Sequence, residues 1–224
     1  MLLPLMKNTK TTFRLQKEYY KKMIAIIDYG VGNLFSLESS LKAIGVETVV
    51  TCDKDILQKA DKIILPGVGA FCDAAEKLKS TGLDKVVTDL ANNGKPLMGI
   101  CLGMQMLFDK SYEYGEHKGL GLIPGNIVPM EGKISQDLKI PHIGWNKLEF
   151  KKQSKLFKYI KSGDFVYFVH SYYACDCEES ITSTAEYDID ITATVEKGNV
   201  YGCQFHPEKS GNVGLAILKA FCEI

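Results

Sequence analysis

Short apolar runs alternate with amphipathic stretches through the first half of this chain. Met23-Ile24-Ala25-Ile26-Ile27 is a continuous apolar run of strand length, and Leu34, Leu37, Leu41 and Ile44 follow at helical spacing. Val46 to Thr51 reads as a strand, Lys54 to Ala60 as a short helix, and Lys62-Ile63-Ile64-Leu65 as a strand stopped by Pro66-Gly67. One or two helices cover Asp73 to Asn92, followed by a strand at Lys95 to Ile100 and a helix through Phe108. This rhythm predicts an α/β fold, a mainly parallel central sheet with helices on both faces. Sites in such sheets lie beyond the carboxyl ends of the strands.

The second half changes character. Leu122 to Met130, Pro141 to Phe150, Phe165 to Tyr173, Thr182 to Glu186, Ile191 to Glu196 and Asn199 to Phe205 read mostly as strands. They predict added antiparallel strands, with a hairpin turning at Lys197-Gly198-Asn199. Gly211 to Cys222 closes the chain as a helix.

Residues 1–22 stand apart, carrying Lys7, Lys10, Arg14, Lys17, Lys21 and Lys22 against Glu18 alone. The first buried-type strand begins at Met23. The domain is therefore placed at 23–224, and 1–22 is read as an N-terminal extension, either disordered or lying upstream of a start at Met23.

Composition narrows the function classes. At 224 residues and 46% hydrophobic content, the chain builds one large domain or two small ones. Lys plus Arg and Asp plus Glu are each 27, so no basic field invites nucleic acid. No apolar run reaches the roughly 20 residues of a membrane helix. Seven cysteines without a Cys-x-x-Cys spacing indicate a reducing, cytoplasmic setting with free thiols. Cys175-x-Cys177 is a poor metal pattern and is read as structural, so no metal and no cofactor are expected. Gly30-Val31-Gly32-Asn33 fails as a dinucleotide fingerprint because Phe35 holds the third glycine's place. It is read as a glycine turn close to the site or to a partner. His117 is read as a solvated loop residue, and His142 and His170 as structural.

The candidate chemistry lies in two segments. Gly99-Ile100-Cys101-Leu102-Gly103 places a cysteine between glycines where an apolar strand turns into a helix, the thiol form of a nucleophile elbow. The helix that follows aims free N–H groups and its positive dipole end at the sulfur, favouring thiolate. A hundred residues on, the strand Asn199 to Phe205 ends in His206-Pro207-Glu208. There the proline forbids further ladder pairing, and an imidazole and a carboxylate converge. Cys101, His206 and Glu208 fill the roles of nucleophile, base and base-orienting group in covalent acyl transfer. Leu102 N–H at the elbow is one oxyanion donor by the geometry of the motif.

With Pro66-Gly67-Val68-Gly69 added, Gly99 to Gln105 and His206-Pro207-Glu208 resemble the class I (triad-type) glutamine amidotransferases, which have a flavodoxin-like fold. Asp28-Tyr29-Gly30-Val31-Gly32-Asn33-Leu34, Pro141-His142-Ile143-Gly144-Trp145-Asn146 and Phe168-Val169-His170-Ser171-Tyr172 look like the glutaminase subunits of imidazole glycerol phosphate synthases. The resemblance implies hydrolysis of L-glutamine to glutamate and ammonia. It adds Val68 N–H as the second oxyanion donor, formed by a peptide that flips, and Gly69, Gln105, Glu113 and the backbone near Ser171 and Tyr172 as glutamine contacts. An ordinary surface acid is the alternative for Glu113. The implied partner is a (β/α)₈-barrel cyclase subunit that takes the ammonia in histidine biosynthesis, faced by Asn33, Trp145 and Lys209; core packing is the alternative for Trp145. The motifs encode ammonia production and docking rather than the acceptor. A glutaminase serving another synthase, such as one aminating a sugar, and a catalytically silent regulator on the same fold therefore stay open. A pyridoxal-phosphate-synthase glutaminase fits less well, since Val68 stands where a glycine is expected.

Overall fold

The apolar runs of the first half form the parallel centre of an eight-stranded sheet in the computed structural model, which describes residues 23–224. The extension read at 1–22 lies outside the described residues. β1 (Ile24–Ile27), α1 (Leu34–Ala43), β2 (Thr48–Thr51), α2 (Lys54–Lys59), β3 (Lys62–Leu65), α3 (Phe71–Ser80), α4 (Leu83–Asn92) and β4 (Leu97–Ile100) alternate as the pattern predicts. β2, β1, β3 and β4 lie side by side, all parallel. Alternation along each strand sends side chains to opposite faces. Ile24 and Ile26 pack with Leu37 and Leu41 of α1, whereas Ala25 and Ile27 pack with Leu57, Phe71, Leu78 and Val87 of α2, α3 and α4. Asn33 and Asp53 cap α1 and α2 by accepting backbone N–H bonds at their first turns.

Beyond β4 come α5 (Leu102–Gln105), β5 (Lys110–Ser111), β6 (His117–Lys118), β7 (Asn126–Pro129), β8 (His142–Lys147), β9 (Glu149–Phe150), β10 (Phe165–His170) and β11 (Tyr172–Cys175). β12 (Ile181–Tyr187), β13 (Ile189–Lys197), β14 (Val200–Cys203) and α6 (Gly211–Glu223) complete the chain. β14 adds parallel to β4, and β13, β12 and β9 continue the sheet antiparallel. The hairpin turns at Gly198, as expected. α6 covers the α1 face, contributing Ile217, Leu218 and Phe221. β8 pairs with β10, and β11, β7, β5 and β6 make a third sheet.

Four local readings are corrected. The helix after the elbow stops at Gln105 instead of running through Phe108. The carbonyls of Met106, Leu107 and Phe108 accept N–H groups of Leu120, Leu122 and Gly121, so they are lost to helix propagation. The single strand expected over Phe165 to Tyr173 breaks at Ser171, whose carbonyl accepts Met130 N–H, and the chain passes from one sheet to another. The strand expected from Leu122 begins only at Asn126. Gly125 (φ 125°) turns the chain where a Cβ would lie 2.6 Å from the Cys175 carbonyl. His117 sits in β6 rather than in a solvated loop, with Nε2 buried and without a hydrogen-bond partner among the described residues.

Candidate active site

Cys101 occupies the turn between β4 and α5 with φ 54° and ψ −113°, a backbone state strained for any residue bearing a Cβ. Its N–H donates to Cys203 O (2.8 Å), and its carbonyl accepts Gln105 N–H (3.1 Å). Gly103 lets α5 press onto β3, since a Cβ there would stand 1.9 Å from the Leu65 carbonyl oxygen. The elbow is thus wedged between the two central strands. Only 7% of Cys101 is exposed.

β14 runs parallel to β4 with Cys203 opposite Ile100, so the chain leaves β14 at the same sheet end as the elbow. His206 N–H donates to Tyr167 O (3.0 Å), and Ser210 Oγ donates to His206 O (2.6 Å). These bonds fix the turn over β10. Nδ1 of His206 lies 2.8 Å from Glu208 Oε1. Both side chains of His206 and Glu208 are buried, and Glu208 Oε2 has no hydrogen-bond partner among the described residues. His206 and Glu208 thus meet at the sheet end that carries Cys101. Burial alone lowers the His206 pKa, but Cys101 and Glu208 override it and raise it to about 10. An imidazolium beside a sulfur is the proton arrangement of an activated thiol.

The remaining cysteines lack such a neighbour. Burial pushes Cys175 and Cys222 up to about 12, Cys177 to about 11, and Cys203 well above the ordinary thiol range.

The Pro66–Gly69 loop lies against the elbow. A Cβ on Gly67 would approach Gly103 N to 2.8 Å and Leu102 Cβ to 2.9 Å, so the loop backbone sits at the α5 N-terminus beside Leu102. Gly69 (φ 92°) has open space, and Val68 is 42% exposed. Tyr29 hydroxyl donates to Pro66 O (2.8 Å) from a buried position. Burial, then the charge of Cys101, holds that phenol well above its usual range, so it remains a donor.

Gln105 is buried one turn beyond Cys101, and its Nε2 donates to Tyr172 O (3.3 Å), next to Ser171. Glu113 is no surface acid. It is buried, and Oε2 accepts Phe71 N–H (2.6 Å) at the start of α3, immediately after the Gly69 loop. Asn33, Pro66, Val68, His206 and Glu208 line one crevice. Gly32 turns (φ 124°) with Pro66 atoms 3.1 Å from its Cβ position, so the glycine turn does adjoin the site. Trp145 is 55% exposed on β8, not core, and its ring lies 4.0 Å from the Cβ position of Gly211, two residues past the exposed Lys209. His142 and His170 bond each other within the β8–β10 sheet (3.0 Å).

Two residues with places in the site had no role assigned from sequence. Tyr29 ties β1 to the Pro66 loop, a contact 37 residues apart with no local signal. Gln204 donates from Nε2 to the Cys101 sulfur (3.7 Å). A polar side chain ending an otherwise apolar strand, two residues before His206, was its available signal.

Residues 25–223 match the sequence model of the glutamine amidotransferase class-I family. The chain is 50% identical over 200 residues to the imidazole glycerol phosphate synthase subunit HisH of Bacillus cereus, covering 89% of this chain and 93% of that one. It is 48% identical over 200 residues to the subunit of the same name from Bacillus thuringiensis, with the same coverage. Among solved structures, the fold is similar to PurLQS from Thermotoga maritima (TM-score 0.70, 21% identity, 90% of this chain and 97% of that chain). It also resembles a structure described as a glutamine amidotransferase (TM-score 0.69, 18% identity, 88% and 98%).

Proposed function

The chain belongs to the class-I glutamine amidotransferases, and from that premise we propose that it is the glutaminase subunit of an imidazole glycerol phosphate synthase. The observation carrying the activity is the strained elbow cysteine at the sheet end where an imidazole meets a buried carboxylate at 2.8 Å. The synthase assignment rests on HisH relatives at 48–50% identity across nearly the whole chain.

Cys101 thiolate attacks the carboxamide carbon of glutamine, and the carbonyl oxygen becomes an oxyanion. Leu102 N–H at the start of α5 and Val68 N–H in the loop pressed against it receive that charge. His206, protonated at the outset, gives its proton to the departing nitrogen, so ammonia leaves and a γ-glutamyl thioester remains. His206 then takes a proton from water as the oxygen attacks the thioester; glutamate departs and the thiolate returns. Glu208 holds the ring and stabilises its charged form throughout. Gly69, Gln105, Glu113 and the Ser171–Tyr172 backbone frame the glutamine.

Gly67 is locked against α5, whereas Gly69 has open space and Val68 is exposed. This contrast supports a Val68 peptide able to reorient when a partner docks. Ammonia serves a synthase only if kept from protonation and escape, so the partner must cover the site. Asn33, Trp145 and Lys209 lie around the rim of the triad and form the surface for a (β/α)₈-barrel cyclase that takes the ammonia.

The test is reconstitution. With the cyclase, the chain should support glutamine-dependent formation of imidazole glycerol phosphate. Lys209→Ala should weaken complex formation or its coupling to glutamine hydrolysis, leaving the basal glutaminase activity of the free chain within about twofold. A complex that forms with a sugar-aminating synthase instead, and not with the cyclase, would replace the acceptor assigned here.

A further inference from the structure

We propose that Gln204 is a positioning residue of this site, donating an amide N–H to the Cys101 sulfur while its carbonyl oxygen fixes the orientation of Gln105. The inference rests on the glutaminase reading and deepens it. The polarity of the arrangement is set by a backbone carbonyl. Tyr172 O can only accept, so the groups meeting it, His170 Nδ1 at 2.8 Å and Gln105 Nε2 at 3.3 Å, are both donors. That fixes which end of the Gln105 amide is NH₂. The same NH₂ lies 3.0 Å from the Gln204 amide, whose atom there must be the oxygen. The NH₂ of Gln204 is therefore left for the Cys101 sulfur at 3.7 Å.

Gln204 is completely buried, and its backbone N–H is bound to Ala193 O, so water offers no substitute for these partners. On the other side of the sulfur, Val169 O stands at 4.0 Å. A carbonyl there favours the protonated thiol, because only S–H can donate to it. The Gln204 N–H favours thiolate, and so supports the ion pair with His206. With its NH₂ spent on Tyr172 O and Gln204 Oε1, Gln105 keeps Oε1 as an acceptor for an N–H of the substrate.

The test uses the full chain in complex with the cyclase, with Gln204→Met (similar volume, no amide) and Gln204→Glu (an oxygen kept for Gln105, the N–H to sulfur removed). Iodoacetamide is the probe, with labelling of the Cys101 peptide followed by mass spectrometry between pH 6 and 9, alongside steady-state kinetics. In Gln204→Met, the pH midpoint of Cys101 labelling should rise by about one pH unit, the tenfold effect of losing one charge-assisted hydrogen bond. Its KM for glutamine should rise as well, because Gln105 loses the shorter of its two amide hydrogen bonds and is held by Tyr172 O alone. In Gln204→Glu, the labelling midpoint should rise at least as far while KM stays within about threefold of wild type. Unchanged labelling profiles in both variants would overturn the role of Gln204, as would equal KM increases in both. A wild-type chain in which Cys101 is not the preferred labelling site would instead contradict the glutaminase reading itself.

Discussion

Cys101→Ala is expected to remove glutamine hydrolysis, by about 10⁶-fold in kcat, the usual cost of deleting a nucleophile from a concerted triad. Alanine keeps the Cβ and hence the same demands on the elbow at φ 54°, so only the sulfur is lost. The sulfur receives a hydrogen bond from Gln204 and stands 4.0 Å from the Val169 carbonyl, and the alanine Cβ keeps this position's place in the apolar packing beside β4. Thermal stability and partner binding should therefore survive. The complex should still make product when ammonium salts replace glutamine. His206 also loses the charge of Cys101, which raises its pKa, so its titration should move down from about 10 in the variant. Ordinary glutaminase activity in a purified Cys101→Ala complex would remove Cys101 from the nucleophile's role.

Glu208→Gln carries the second largest effect, a fall of about 10⁴-fold in kcat with little change in KM. The carboxylate touches the base rather than the substrate, through one bond of 2.8 Å to Nδ1. An amide of the same shape cannot hold the imidazolium by charge and can present its NH₂ to Nδ1, which favours the wrong tautomer. Burial, which lowers the His206 pKa, would then be opposed less, so the ring should lose its proton at lower pH than in wild type. A reduction smaller than about tenfold would mean that Glu208 is only a buried loop charge.

The parallel centre was readable in the sequence because its strands are buried on both faces and so form short, nearly unbroken apolar runs, as in β1, β4 and the Ile63–Leu65 part of β3. The triad was readable for a related reason. Both halves lie where such strands end, and glycine or proline marks each ending. The break at Ser171 was not readable, because neither glycine nor proline interrupts Phe165 to Tyr173; a carbonyl taken by Met130, 41 residues away, diverts the chain. The short elbow helix escaped for the same kind of reason, its carbonyls being claimed by the Gly119–Ile123 loop. Glu113 became intelligible only once its oxygen was found on Phe71 N–H, a contact 42 residues apart. Tyr29 and Gln204 belong to quoted motifs, yet what they hold in place is non-local.

A glutaminase that feeds a synthase should be under its partner's control. Steady-state glutaminase kinetics of the isolated chain, of its complex with the cyclase, and of the complex with the cyclase's nucleotide ligand test it most directly. If the Val68 peptide turns to complete the oxyanion hole, the isolated chain hydrolyses glutamine slowly. The liganded complex then gains about 10²–10³-fold, mainly in kcat, because the new donor acts on the transition state. Full activity in the isolated chain, unaltered by cyclase or ligand, would contradict the account and leave a free-standing glutaminase.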